Sequence, residues 1–233
     1  MPDTPEPDGR SRRWDDHKQE RRARILDAAV AVLHDEGDVA GVKDIADRAG
    51  VPRSVVYRLF KDREDLDEQV RERIVDDLLT ALAPTLAPRG TVEDAIRTAV
   101  DTYVGWIVAN PNLHTFLGTG SARRRTIGSR VVTSTRTAIA AQVAGLIAGQ
   151  LTGAGADERY AEPLAFAMMG MVDATVNRWL SKSLQPLDAA ELSEFLQVSA
   201  WQILHANLRR IGVELDPNTR VGELRAAAGP ESA

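Results

Sequence analysis

The sequence of 233 residues contains no cysteine, and this absence excludes disulfides, thiolate metal sites and cysteine nucleophiles. Histidine is scarce too, because the four residues His17, His34, His114 and His205 are scattered without the spacing of metal ligands. Aromatic residues make up only 5% of the chain, and no paired catalytic groups stand out. The sequence therefore predicts a protein that is not an enzyme and that holds neither a metal ion nor a cofactor.

Long apolar runs and a secretory signal are also missing. The longest apolar stretches, 138–141 and 143–148, are interrupted by Gln142 and Gly149, well short of the ~20 residues that a membrane-spanning helix needs. Residues 1–16 contain three prolines and mixed charge without an apolar centre, which is typical of a flexible arm. We expect a cytoplasmic protein that does not bind a membrane.

The formal net charge of −5 argues, taken alone, against a nucleic-acid partner. The charge is unevenly distributed, however, since residues 10–66 carry a balance of +1 while the flanking segments are acidic. Between Arg48 and Arg58 there are three arginines and no acid. This distribution leaves room for a small basic surface near the N-terminus.

Helical periodicity runs along most of the chain, and no strand-like alternation interrupts it. A first helix begins near Lys18 and stops at Gly37, and short helices are predicted over 42–49 and 52–60, with Pro52 in the first turn of the latter. The glycine turn between these short helices is typical of a helix-turn-helix. Further helices are predicted over 64–82, from the cap Thr91 to residue 109, and over 113–117, 129–151, 158–182 and 188–210, with a loose tail from Asp216.

Three segments, 24–29, 44–51 and 57–66, share one feature: their residues and spacing resemble a known DNA-binding domain. They read Arg24-Ile25-Leu26-Asp27-Ala28-Ala29, Asp44-Ile45-Ala46-Asp47-Arg48-Ala49-Gly50-Val51 and Tyr57-Arg58-Leu59-Phe60-Lys61-Asp62-Arg63-Glu64-Asp65-Leu66. Together they resemble the TetR family of transcriptional regulators, most of which are repressors. The resemblance implies an all-α fold of about nine helices, with a helix-turn-helix domain over 17–66 and a helical ligand-binding and dimerisation domain over 67–211, followed by a tail over 212–233.

The second helix of such a motif enters the major groove with its N-terminus first. The resemblance therefore implies that Arg53, Ser54 and Tyr57 reach bases or phosphates, and that the flanking DNA backbone is held by Lys43, Lys61 and Arg63.

Two departures from the family pattern affect this interface. Gly41 stands where a threonine is frequent, and Pro52 replaces a small polar residue, so the specificity of a relative cannot be transferred. The basic residues Arg10, Arg12 and Arg13 form either a minor-groove arm or a solvated tail.

The last two long helices are apolar on more than one face, which calls for cover on both sides. In the family these helices pair across a two-fold axis, and the resemblance implies a homodimer on a palindromic operator in double-stranded DNA. The residues expected at this interface are bulky and apolar: Trp179, Val198, Trp201, Leu204 and Leu208.

A small-molecule effector is also implied by the resemblance. The residues on the helices that enclose the pocket in relatives are Tyr103, Trp106, His114, Phe116, Met168, Met171 and Asn177. Ordinary core packing is the alternative for each of them. If several line a cavity, it suits an apolar or aromatic ligand with His114 or Asn177 as polar contacts.

We therefore expect a repressor that a largely apolar ligand releases from DNA by moving the helix over 64–82. An activator or a protein-responsive regulator of the same fold remains an alternative. A more distant one is an all-α enzyme or carrier with a vestigial helix-turn-helix.

Overall fold

A computed structural model describes residues 9–37, 41–119, 129–181 and 187–226. Helices account for most of these residues, and two short strands pair near the C-terminal end, which confirms the predicted all-α fold. The elements are α1 (Gly9–Glu36), α2 (Val42–Ala49), α3 (Arg53–Leu59), α4 (Arg63–Leu82), α5 (Val92–Ala109), α6 (Pro111–Thr119), α7 (Arg130–Gly153), α8 (Ala161–Leu180), α9 (Ala189–Arg210), β1 (Val213–Glu214) and β2 (Arg225–Ala226).

Most helix boundaries follow the predicted capping signals. Gly37 and Gly50 follow α1 and α2 with φ values of +71° and +66°, a conformation that glycine adopts without steric cost. At the start of α5, the Asp94 N–H donates to Thr91 Oγ1 over 3.0 Å. At the start of α9, the Asp188 carboxylate accepts the N–H groups of residues 190 and 191. These ends are therefore set locally by the sequence.

The first helix is longer than the sequence-based expectation. It begins at Gly9 rather than near Lys18, because residues 10–36 contain neither proline nor glycine and nothing interrupts the helix there. Pro52 is the residue before α3, with ψ at 144°, and does not lie in its first turn. Residues 1–8 and the side chains of Arg10, Arg12 and Arg13 lie outside the described residues, so a minor-groove arm stays a prediction.

Residues 211–226, which follow α9, are held by backbone hydrogen bonds, although the sequence predicts a loose tail from Asp216. Val213 pairs with Ala226 in the antiparallel β1–β2 ladder. The Val92 N–H donates to the carbonyl oxygen of Thr219 over 2.9 Å, and Val213 is buried. Strands of two residues are too short to produce a visible alternation, which is why the pattern missed them.

The described residues form two compact units. The first comprises Met1–Asp77 and Asn110–Val132, and in it α1 packs against α2, α3 and α6. The second comprises Leu78–Ala109 and Thr133–Ala233, and its core includes Leu151, Leu164, Leu204, Leu208 and Val213. Because this grouping reflects packing, the predicted functional division at residue 66 stays a prediction.

Helix α7 is apolar and yet little buried. Only Ala140 and Leu151 of its 24 residues are buried. Its mean hydropathy of 1.3 over an 18-residue window is high enough, by length and composition alone, for a membrane span. Gln142 and Gly149 interrupt the unbroken apolar runs that the sequence analysis considered, but they do little to lower the mean hydropathy of the whole helix. One such helix is weak evidence for a membrane.

Candidate nucleic-acid interface

The α2–turn–α3 motif is held to the first unit by small and β-branched side chains. Ile45 and Ala46 of α2 and Val56 of α3 are buried. In the turn between the helices, the Val51 N–H donates to the carbonyl oxygen of Ala46 over 3.0 Å. Since Val56 fixes the inner face of α3, the opposite face of that helix is directed to solvent.

The predicted DNA-contacting residues lie largely on this solvent-directed surface. Arg53 and Ser54 are exposed in the first turn of α3, and Tyr57, one turn later, is 56% exposed. Lys43 on α2 and Lys61 before α4 are exposed too. The structure thus brings Arg53, Ser54 and Tyr57 together on one short helix, while their contact with DNA stays a prediction.

Ion pairs make the basic surface smaller than the sequence suggests. Arg48 Nη2 lies 2.7 Å from Asp35 Oδ2, and Arg63 Nε donates to Asp67 Oδ1 over 2.7 Å. The hydrogen bond from Arg48, followed by that from His34, holds the pKa of the Asp35 carboxyl below its usual value. In the segment from α2 to the turn before α4, the exposed cations that form no ion pair are Lys43, Arg53, Arg58 and Lys61. Arg58 was not among the predicted contacts, although its place in α3 could have indicated it.

The N-terminus of α2 shows the consequence of Gly41. The Gly41 N–H donates to Asp44 Oδ2 over 2.8 Å, but glycine has no hydroxyl to return a bond. Gly41 therefore offers no side-chain donor at this helix end, and the loss of a phosphate contact here stays a prediction. The Asp44 carboxylate adds a negative charge at this helix end.

The start of α4 is fixed by two aspartates. Asp62 Oδ1 accepts the Asp65 N–H over 2.8 Å, and Asp65 Oδ2 accepts the Lys61 N–H over 2.9 Å. The bond from the Lys61 N–H lowers the pKa of the Asp65 carboxyl. These bonds orient the turn that carries Lys61 and Arg63.

Arg22 is a residue that the sequence analysis missed. Its Nε donates to Gln69 Oε1 over 2.7 Å, its Nη1 donates to the Leu59 carbonyl oxygen over 3.2 Å, and its guanidinium lies 4.9 Å from the centre of the Phe60 ring. It therefore joins α1 to the end of α3 and to α4. Its place three residues before Ile25, on the apolar side of α1, was the available signal.

We expect Arg22→Met to destabilise the protein by about 1–3 kcal/mol, since two hydrogen bonds of a charged group and a cation–π contact are lost. Denaturant unfolding measures this change. The control is Arg21→Met, because Arg21 is exposed on the same helix. Equal unfolding free energies for the two variants would contradict the structural role of Arg22.

The predicted effector residues are divided between the two units. His114 and Phe116 of α6 belong to the first unit and are buried. The second unit contains Tyr103 and Trp106 of α5, and it also contains three residues of α8: Met168, Met171 and Asn177. Trp106 is buried and the others are partly buried. Whether these residues line a pocket stays a prediction.

A polar cluster lies among α5, α7 and α8 in the second unit. Tyr103 Oη donates to Asp173 Oδ1 over 3.3 Å, and Arg136 Nη2 lies 2.9 Å from the same oxygen. Burial, followed by the charge of Asp173, raises the pKa of Tyr103 well above its usual value. The Asn177 amide donates to the Asp173 carbonyl oxygen over 2.8 Å, so this predicted polar contact is already engaged by its own helix.

Two of the five residues predicted at the dimer interface lie in the protomer core instead. Leu204 and Leu208 are buried in the core of the second unit and cannot form an interface without opening it. When a helix is apolar on most of its faces, its sequence does not tell which face packs into the core of the protomer and which face is left for a partner. Val198, in contrast, is 55% exposed.

The two tryptophans of that prediction are partly buried. The Trp179 indole N–H donates to the Leu187 carbonyl oxygen over 2.9 Å. Trp201 stacks on His205 with ring centres 5.9 Å apart and packs against the core. Both side chains therefore have partners within the protomer, and their part in an interface stays a prediction.

Comparisons with known proteins agree with the geometry of the motif. The family model for bacterial regulatory proteins of the tetR family matches residues 25–70. A helix-turn-helix transcriptional regulator of Mycobacterium tuberculosis is 28% identical over 202 residues, which cover 84% of this chain and 82% of the relative. The transcriptional activator FasR of Mycolicibacterium smegmatis is 35% identical over 91 residues, 39% of this chain and 42% of FasR.

A solved structure shows the same fold. The regulator FadR from Bacillus subtilis, in complex with stearoyl-CoA, has a TM-score of 0.57 and 22% identity, and the match covers 76% of this chain and 96% of that chain. The similarity therefore extends well beyond the helix-turn-helix.

Within the described ranges, no group of three His, Asp or Glu residues is placed to hold a metal ion.

Proposed function

We propose that the chain is a transcriptional regulator of the TetR type, a cytoplasmic homodimer that represses transcription from a palindromic operator; the family match over residues 25–70 and the regulator of Mycobacterium tuberculosis support this proposal. A small, largely apolar ligand releases it from DNA. The observation that carries the DNA-binding part is α3, whose inner face is anchored by Val56 while Arg53, Ser54 and Tyr57 are exposed over its first two turns.

Exposed apolar side chains on α8 and α9 support the dimer. Phe166 of α8 is 45% exposed, and Phe195 and Val198 of α9 are 51% and 55% exposed. The two helices pack against each other, and both lie in the second unit. Large exposed apolar residues at helical spacing mark a surface that another protein covers. In a two-fold dimer this surface of one protomer packs against the same surface of its partner. Such a dimer sets two recognition helices ~34 Å apart.

The low burial of α7 supports an apolar ligand. Its apolar residues include Val143, Leu146 and Ile147, which remain partly or largely exposed in the protomer. A ligand that covers such residues gains their transfer free energy. Stearoyl-CoA, present in the FadR structure, contains a long apolar chain of the kind this proposal requires.

An activator is the second candidate function. The observation in its favour is the similarity to FasR, which is named an activator. The same protein–DNA contacts serve both roles, because the sign of regulation depends on where the operator lies relative to the promoter. Genomic footprinting distinguishes the two by the operator position and by the direction of change in neighbouring transcripts.

A gel shift against the DNA upstream of the protein's own gene tests the proposal. We expect a retarded band that persists with excess unrelated DNA and that disappears with excess unlabelled upstream DNA. Genome-wide footprinting extends the search if the operator lies elsewhere. Failure to bind a palindrome at either scale would rule out the regulator proposed here.

The salt dependence of operator binding should be moderate. If Arg53 contacts a base, the three other unpaired cations of the segment from α2 to the turn before α4, Lys43, Arg58 and Lys61, give about six phosphate contacts per dimer. Each contact contributes about 0.9 to the slope of log K against log salt concentration. Fluorescence anisotropy at several salt concentrations measures this slope. A slope near zero would contradict binding through these cations.

A further inference from the structure

Arg71 of α4 is buried, with only 7% of its surface exposed. Its Nη1 donates to Glu68 Oε2 over 3.1 Å, and its guanidinium carbon lies 4.8 Å from the centre of the Phe116 ring on α6. Its Nε has no hydrogen-bond acceptor among the described residues and is inaccessible to solvent. A charged donor buried in this way calls for an explanation, since nearly all buried donors are satisfied by protein, water or a ligand.

The nearby carboxylate does not reach Arg71 Nε in this arrangement. Glu68 Oε2 already accepts from Arg71 Nη1, while Glu68 Oε1 accepts the Ser129 hydroxyl over 3.0 Å and faces the Val131 N–H at 3.4 Å. Both oxygens are thus engaged at the start of α7. An acceptor from outside this network would satisfy Arg71 Nε while Glu68 keeps its present bonds.

Arg71 contacts the Phe116 ring of α6 and the Glu68 carboxylate of its own helix. Leu113, Phe116 and Leu117 of α6 and Val75 of α4 are buried in the same unit. A ligand with an apolar chain and an oxygen acceptor matches these residues, because its chain packs against the apolar side chains and its oxygen accepts the guanidinium N–H. Anionic oxygens make the stronger bond to a guanidinium.

We propose that Arg71 binds the anionic group of the effector, a carboxylate or a phosphate on an apolar body. The inference rests on the proposed function, because it assumes that the chain has an effector. The contact between Arg71 and Phe116 must open locally to admit the ligand, since Arg71 Nε is inaccessible in the present arrangement.

The same contact connects the ligand to the DNA-binding helices. Arg71 lies eight residues after Arg63, in the helix that follows the recognition helix directly. On α6, Asn112 Nδ2 donates to the His34 carbonyl oxygen at the end of α1 over 2.9 Å. A ligand oxygen that competes with Glu68 for Arg71 therefore shifts α4 relative to α1 and α6, within the first unit.

The test is ligand binding by the full chain without DNA, measured by calorimetry with decanoate, decyl phosphate and 1-decanol. The three probes share one apolar chain and differ only in the head group. We expect wild-type protein to bind decanoate or decyl phosphate about tenfold or more tightly than decanol. The stronger of the two anions identifies the head group. Equal affinities for the anions and the alcohol, or no binding of any probe, would overturn the proposal.

Arg71→Met should reduce anion binding to the level of decanol. Arg73→Met is the matched control, because Arg73 lies on the same helix, is exposed and pairs with Asp27 at 3.0 Å, and it should leave the preference intact. Thermal unfolding checks the fold, and Arg71→Gln, which is also neutral, replaces the methionine variant if that variant unfolds. If the preference for anions survives both Arg71 substitutions, another residue binds the anionic group and the proposal is overturned.

Operator binding is measured separately by gel shift. Anion preference without operator binding would refute the proposed function and leave the Arg71 site standing. Operator binding with no anion preference would do the reverse. The two proposals can therefore fail independently.

Discussion

Replacing Arg53 and Tyr57 together with alanine should remove specific operator binding while leaving the protein folded. Both side chains are exposed on α3, so their loss changes stability by no more than about 0.5 kcal/mol. A bidentate arginine contact to a base contributes about 1–3 kcal/mol, and a tyrosine hydroxyl to a phosphate adds a further hydrogen bond. Because a dimer loses these contacts in both half-sites, we expect the affinity to fall at least about a hundredfold.

Fluorescence anisotropy with the operator fragment measures the loss, and circular dichroism checks the fold. The matched control is Arg89→Ala, an exposed arginine that lies outside the helix-turn-helix. It removes one positive charge without touching α3. If the control weakens binding as much as the double variant, total charge rather than recognition by α3 accounts for affinity. If neither variant changes binding, α3 is not the reading helix.

The single substitutions separate the two kinds of contact. A base contact by Arg53 predicts that Arg53→Ala relaxes the preference at one operator position. A phosphate contact by Tyr57 predicts that Tyr57→Phe weakens binding to all operator variants by a similar factor. A set of operators with single base changes distinguishes these patterns.

Local signals in the sequence predicted much of the helical framework. Gly37, Gly50 and the Thr91–Asp94 cap mark helix ends that depend on residues within one turn, and the structure places the ends there. The exposed side of α3 was predictable for the same reason, since Val56 and Phe60 lie on its apolar side. Motif and spacing were sufficient for these features.

Contacts between distant residues could not be predicted from the sequence. Arg48 seemed to belong to an acid-free basic stretch, but it pairs with Asp35, 13 residues earlier. Arg22 and Arg71 each place the guanidinium over a phenylalanine ring from a distant part of the sequence, Phe60 and Phe116. Periodicity places a residue on a helix face without telling which neighbour covers that face. The placement of Leu204 and Leu208 in the protomer core has the same cause.

Glutamate at both Phe195 and Val198 should convert the proposed dimer into a monomer. The two side chains are the large exposed apolar groups of α9, so the substitutions leave the protomer core intact. In a two-fold interface each substitution occurs twice, which places four carboxylates in the contact. Burying an unpaired charge costs about 3–5 kcal/mol, and we expect the dimer dissociation constant to rise at least about a hundredfold.

Light scattering measures the result directly, because the chain has a mass of 25.4 kDa and the dimer about twice that. The control is Val108→Glu, a similarly exposed valine on α5, which should leave the mass of the dimer unchanged. A wild-type mass of one chain would contradict the dimer, and an unchanged mass in the double variant would move the interface to another surface. Since a monomer contributes one recognition helix, the monomeric variant should also bind a half-site as well as it binds the full palindrome. That last comparison separates the loss of dimerisation from any damage to α3, because a damaged recognition helix would weaken half-site binding too.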